Sequence, residues 1–139
     1  MLRYYTQTDS QWNGYTIPGT HLTLYDCGCL LVCLTNIYNS HNPDKAMTPP
    51  DFCQRLYNYN GINSDGLVVW DGLADMLACQ VRTHADFNND SKFYIGHYNN
   101  HFVNILKSND KLIYCFNVYG GFLELKKLTD FDRFISIWW

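Results

Sequence analysis

From Cys29 to Asn39 the chain reads Cys-Leu-Leu-Val-Cys-Leu-Thr-Asn-Ile-Tyr-Asn, apolar nearly all round at helical spacing. A helix without a polar face does not lie on a surface; it runs through the middle of a domain with other elements around it. Everything else in the chain must therefore supply cover for this segment. Gly28 turns the backbone into it, and Asn39-Ser40-His41-Asn42-Pro43-Asp44 brings it to an end.

The covering segments change character along the chain. Residues 7–24 are irregular and turn-rich, broken at Gly14, Pro18 and Gly19. A second helix starts at Thr48, a good N-cap, with Pro49 in the first helical position and Asp51 placed to favour the dipole. Phe52, Leu56 and Tyr59 mark its buried face, widened by Cys53 and Tyr57, and Asn60-Gly61 closes it in the left-handed region. A third helix, about Val69 to Ala78, carries Trp70, Leu73, Ala74 and Leu77 at helical spacing. Beyond it the period falls to two. Val81–His84, Lys92–Ile95, His101–Leu106 and Lys111–Val118 are expected strands, the last pair joined through Ser108-Asn109-Asp110, with Phe122–Leu125 a further candidate. Thr129-Asp130-Phe131-Asp132 predicts a short closing helix capped by Thr129. The apolar tail Phe134-Ile135-Ser136-Ile137-Trp138-Trp139 either completes the core, the favoured alternative, or docks on a partner. Helices first and strands afterwards predict an α+β fold, with helices packed on one face of an antiparallel sheet.

The 139 residues suffice for one domain with a real core, so a single domain over residues 1–139 is expected. Apolar residues at 47% and aromatics at 17% exclude a disordered chain. A net charge of -3 without a basic stripe gives no case for a nucleic-acid partner. No apolar run approaches the length that spans a bilayer, so no membrane partner is expected. No apolar stretch follows Met1-Leu2-Arg3-Tyr4-Tyr5, so no signal peptide is expected and synthesis in the cytoplasm is. The six cysteines are then expected as reduced thiols, and Cys29, Cys33 and Cys53 fall in apolar helical patterns. Cys27 and Cys29 form a C-x-C without a second Cys/His pair at ligand spacing, so neither a zinc site nor any other metal or cofactor is expected.

Three residues stand in an order that suits acyl transfer. Cys29 opens the central helix, His101 heads a strand, and Asn117 stands at the end of the next. A thiolate is the nucleophile, and both a helix N-terminus and a neighbouring imidazolium favour it. His101 would act as base, Asn117 would hold the imidazole and select its tautomer, and the Cys29 N–H with a side-chain amide would cradle the oxyanion. His97 is a nearby competitor for His101.

The chain resembles the C39-like group of papain-fold cysteine peptidases, in the compact form of bacterial and phage proteins. Gln7-Thr8-Asp9-Ser10-Gln11-Trp12 matches the family's Gln-x-Asp-x-x-Trp opening, and Gly28-Cys29 through Leu34 its nucleophile segment. Thr48-Pro49 to Leu56 and Gly61 to Trp70 resemble the following helix and Gly…Trp stretch, and His101-Phe102-Val103 the His-aromatic-Val strand. Asn117-Val118-Tyr119-Gly120 stands where the family carries Asp-Pro-x-x-Gly. The resemblance implies a papain-like fold and a Cys29–His101–Asn117 site with Gln7 donating to the oxyanion. Cys27-Gly28 also resembles the Asp-Cys-Gly of transporter-linked relatives, which leaves Cys27 as the alternative nucleophile; the Leu34 spacing fits only Cys29.

The expected function is a cysteine hydrolase cleaving an amide bond in a peptide, a protein or peptidoglycan. The resemblance to phage-encoded copies implies a virion-associated role beside other virion proteins, or a host-directed one. The alternative is a catalytically degenerate domain of the same fold, used for binding or as part of a larger assembly. A transferase would share every one of these residues and differ only in water access.

Overall fold

The computed structural model describes residues 4–108 and 112–139. Met1, Leu2 and Arg3, on which part of the leader reading rests, and the Asn109-Asp110 turn with Lys111 lie outside the described residues. Among the described residues four α-helices precede six strands: α1 Leu24–Cys27, α2 Cys29–His41, α3 Pro49–Asn58, α4 Trp70–Leu77, then β1 Gln80–Ala85, β2 Phe93–Tyr98, β3 His101–Ser108, β4 Leu112–Asn117, β5 Phe122–Lys127 and β6 Arg133–Trp138. The strands form one antiparallel sheet in the order β1-β6-β2-β3-β4-β5, so the fold is α+β. Among the described residues no helix is long and apolar enough to cross a membrane.

α2 is the expected central helix. Leu31, Val32, Cys33, Leu34 and Ile37 are all buried, and they share one core with Phe52 and Leu56 of α3, Leu73 of α4 and the sheet residues Ile95, Ile135 and Ile137. The other face of the sheet carries a smaller cluster of Tyr94, Tyr98, Val103, Ile113, Cys115 and Phe134, roofed by Phe87 and Phe131. Alternation along each strand sorts the side chains between the two faces.

Local signals place most boundaries. The Thr48 hydroxyl accepts from the Asp51 N–H at 3.4 Å, Pro49 starts α3, and Asn60 takes φ 58° just beyond its end. Asn99 and Asn100, with φ 48° and 56°, make a two-residue turn of the mirror type that joins β2 to β3 and brings Tyr98 opposite His101. α1 has no counterpart among the sequence expectations; Thr23 caps it by accepting from the Asp26 N–H.

The closing helix expected at Thr129-Asp130-Phe131-Asp132 is corrected. A 3-10 turn occupies Leu128–Asp130, and the chain then enters β6, which lies inside the sheet between β1 and β2. Ile135 and Ile137 face the helices, and Phe134 faces the opposite cluster. A strand buried on both faces is apolar throughout, so its period of two is hidden in the sequence. The tail thus completes the protein's own core. Trp139 stacks on His41 at 3.8 Å and donates its indole N–H to the Leu77 carbonyl.

Candidate active site

A buried set of amides sets α2 against β3. Asn104 Nδ2 donates to the Cys33 carbonyl at 3.0 Å, and Asn36 Nδ2 donates to Asn104 Oδ1 at 2.9 Å. Asn36 also exchanges hydrogen bonds with both backbone groups of Tyr5, at 2.8 and 3.1 Å. Cys33 lies one turn along the helix from Cys29, about 6 Å. Asn104 lies three residues along the strand from His101, about 10 Å. Locking these two points brings the start of α2 to the start of β3.

Cys29 accordingly arrives at the Phe102 peptide, whose N–H faces its sulfur. It is half-buried. Burial pushes the thiol above its ordinary value, while the N–H groups of Phe102, Leu30 and Cys29 itself pull the other way without cancelling it. The resting group is therefore a thiol, against the sequence expectation of a ready-made thiolate. Gly28 makes the elbow between α1 and α2: a Cβ there would come within 2.4 Å of the Leu24 carbonyl, so no larger residue fits. Cys27, the alternative nucleophile, is exposed at the C-terminal end of α1, whose dipole opposes a thiolate. Cys29 opens α2, where the dipole favours one.

His101 Nε2 and Asn117 Oδ1 are 3.0 Å apart. The same oxygen accepts from the backbone N–H groups of Tyr119 at 2.9 Å and Gly120 at 3.1 Å. Those two donors decide which way the amide points, since its NH₂ could not face them. The oxygen in turn requires a hydrogen on Nε2. Neutral His101 therefore carries its lone pair on Nδ1. Among the described residues no hydrogen bond joins the Cys29 sulfur to the His101 ring; the N–H of Phe102, the residue after His101, lies against the sulfur instead. His97, the competing imidazole, is engaged with Asp132, Nδ1 to Oδ1 at 2.6 Å, and its ring packs on Phe102.

Gln7 is buried beside this site. Its Nε2 donates to the Leu24 carbonyl at 3.1 Å and to the Tyr25 carbonyl at 2.9 Å, tying the opening segment to α1. Both amide hydrogens are thus used, and none is left for an oxyanion. Its Oε1 is buried without a partner. The rim is closed by a tyrosine pair that sequence reasoning missed: the Tyr119 hydroxyl donates to that of Tyr25 at 2.8 Å, joining the loop after Asn117 to α1. The Asn36–Asn104 lock was also missed, although two Asn at buried positions of apolar segments were its signal.

Among the described residues no group of three or more His, Cys, Asp or Glu side chains is placed to hold a metal ion. No family model, no curated protein and no solved structure matches this chain.

Proposed function

We propose that this protein is a cysteine hydrolase of papain-like design that cleaves an amide bond through Cys29, His101 and Asn117. The observation that carries the reading is the His101 Nε2–Asn117 Oδ1 contact at 3.0 Å, with the amide oriented by the Tyr119 and Gly120 N–H groups. That arrangement leaves Nδ1 as the base and frees it for a neighbouring thiol.

The reaction follows from the protonation states. On substrate binding, His101 Nδ1 takes the Cys29 proton as the sulfur attacks the carbonyl carbon. The C=O π electrons move to oxygen, and the oxyanion is met by the Cys29 N–H at the start of α2. Reforming the carbonyl expels the amine, which takes the proton from His101, and a thioester remains. Water then gives a proton to His101 and its oxygen to the acyl carbon. The thioester C–S bond breaks, the acid leaves, and the thiol is regenerated. A buried thiol beside a neutral base suits this order, in which ionisation is coupled to attack. Gln7 serves as a strut under α1 in this scheme.

Peptides and peptidoglycan cross-bridges are the substrates to test. The wild type should cleave one of them with a fall of about 10⁴-fold in Cys29→Ala and His101→Ala. Iodoacetamide labelling of Cys29 should keep rising with pH past the ordinary thiol range. Unchanged cleavage in Cys29→Ala would overturn the assignment.

The second reading, a degenerate scaffold, draws on the raised Cys29 thiol and the two engaged hydrogens of Gln7. It is favoured if no amide is cleaved and a binding partner is held equally by wild type, Cys29→Ala and His101→Ala.

A further inference from the structure

The His101–Asn117 pair continues into a row of polar groups on the sheet face away from α2, the face that His101 shares with its cross-strand partner Tyr98. Tyr98 ends β2 and pairs with His101 across the Asn99-Asn100 turn, its ring edge-on to the imidazole with centroids 6.3 Å apart. Tyr98 is buried. Its hydroxyl donates to Glu124, which comes from β5 at the far side of β3 and β4. The Asn117 amide approaches the same hydroxyl and favours its ionised form, but burial and the Glu124 carboxylate outweigh it and hold the phenol far above its ordinary value. A phenol so placed keeps its hydrogen and gives it to the carboxylate.

The row answers a gap in the site. When His101 takes the thiol proton it becomes a cation, and the amide of Asn117 brings no charge to meet it. In triads of this kind the third residue is often a carboxylate that stabilises the imidazolium. Here a carboxylate stands one phenol behind the amide.

We propose that Tyr98 and Glu124 are positioning residues for His101: Tyr98 steadies the Asn117 amide from its NH₂ side and links it to a carboxylate, Glu124, that stabilises the imidazolium. The inference rests on His101 being the base, but it is tested without turnover. Other charged or titratable groups also face the row. Cys115 lies opposite Glu124 on β4, its thiol pushed up to about 12 by burial first and the Glu124 charge second. Lys126 sits 4.5 Å from the centre of the Tyr98 ring and offsets part of the carboxylate's field.

The experiment is ¹⁵N NMR of histidine-labelled full-length protein, with the His101 signals assigned through His101→Gln. It follows tautomer and titration midpoint in the wild type, Tyr98→Phe and Glu124→Gln. Removing the carboxylate charge destabilises the imidazolium, so Glu124→Gln should lower the His101 midpoint by about half a unit. Tyr98→Phe should lower it too and weaken the Nε2–H preference, while His97, held by Asp132, stays put. Should Tyr98→Phe fail to fold, the near-isosteric Glu124→Gln decides alone. An unmoved His101 midpoint in Glu124→Gln reduces the row to a structural tie between β2 and β5. A moved midpoint in a protein that cleaves no amide rejects the hydrolase and leaves the row standing, so the two failures are distinguishable.

Discussion

Along the contact of α2 with β3, the middle and the end are built on opposite rules. In the middle, Asn36 and Asn104 are buried and satisfied, with amide donors and acceptors engaged by one another, by Tyr5 and by the Cys33 carbonyl. At the end, one turn of helix away, Cys29 is desolvated enough to be held as a thiol and Gln7 Oε1 has no partner. Satisfied buried amides make a stiff joint, because any relative sliding would strand several groups at once. Unsatisfied or desolvated groups are costly alone and persist where a rigid neighbour holds them. The middle thus provides the frame, and the end keeps desolvated groups in the place that frame gives them.

The strongest way to break the contrast is to strike each region and compare what fails. Cys29→Ala and His101→Ala should each lower cleavage by about 10⁴-fold while moving folding stability by only about 1 kcal/mol. Urea denaturation beside the cleavage assay separates the two effects. A collapse of the fold in either variant would mean that the end also bears the frame.

Asn104→Ala strikes the middle. It removes two buried hydrogen bonds and leaves one Asn36 Nδ2 hydrogen without its acceptor, so it should cost about 3 kcal/mol. The urea midpoint should fall with little change in slope. A loss under about 1 kcal/mol would deny the lock its role as a frame.

Alkaline titration compares sealed thiols with the half-open one. Burial pushes Cys53 up to about 12, and burial with the Glu124 charge does the same for Cys115. Their folded values exceed their unfolded ones, so the unfolded chain loses these protons first as pH rises. The stabilisation is complete below the ordinary thiol range and is lost from there up to about pH 12. Between pH 9 and pH 10 the two thiols together should cost about 2 kcal/mol of folding stability. Cys53→Ala should remove about 1 kcal/mol of that loss between pH 9 and pH 10, and an unchanged slope would contradict it.

Gln7→Ala is expected to have the smallest effect. Loss of its two bonds to the Leu24 and Tyr25 carbonyls should cost about 1–2 kcal/mol. Cleavage per folded molecule should fall less than about tenfold. A fall of about 10²–10³ would show that the amide turns to the oxyanion during the reaction after all.

Much of this architecture was legible where the cause is local. Thr48-Pro49 starts α3, Asn60 ends it, and the apolar run from Cys29 made the central helix. For the site, Cys29 could be placed at the start of α2 and His101 at the start of β3, because caps and periodicity mark those positions. The orientation of the Asn117 amide was not legible, since the Tyr119 and Gly120 N–H groups that impose it act only once the turn has formed. Nor was the state of Cys29, because burial depends on everything packed over it.

The sequence by itself determined the helical half, the strand-patterned half and the places of Cys29, His101 and Asn117 within them, all properties of neighbours within a turn or a strand. Tertiary structure alone decided that Phe134–Ile137 is an inner strand rather than the continuation of a helix, since β6 is defined by partners at Gln80–Ala85 and Phe93–His97. It also decided that Gln7 reaches the carbonyls of α1, and that Tyr98 and Glu124 meet across two intervening strands. Such contacts form between segments far apart in the chain, and a hydrogen bond leaves no periodicity in either partner.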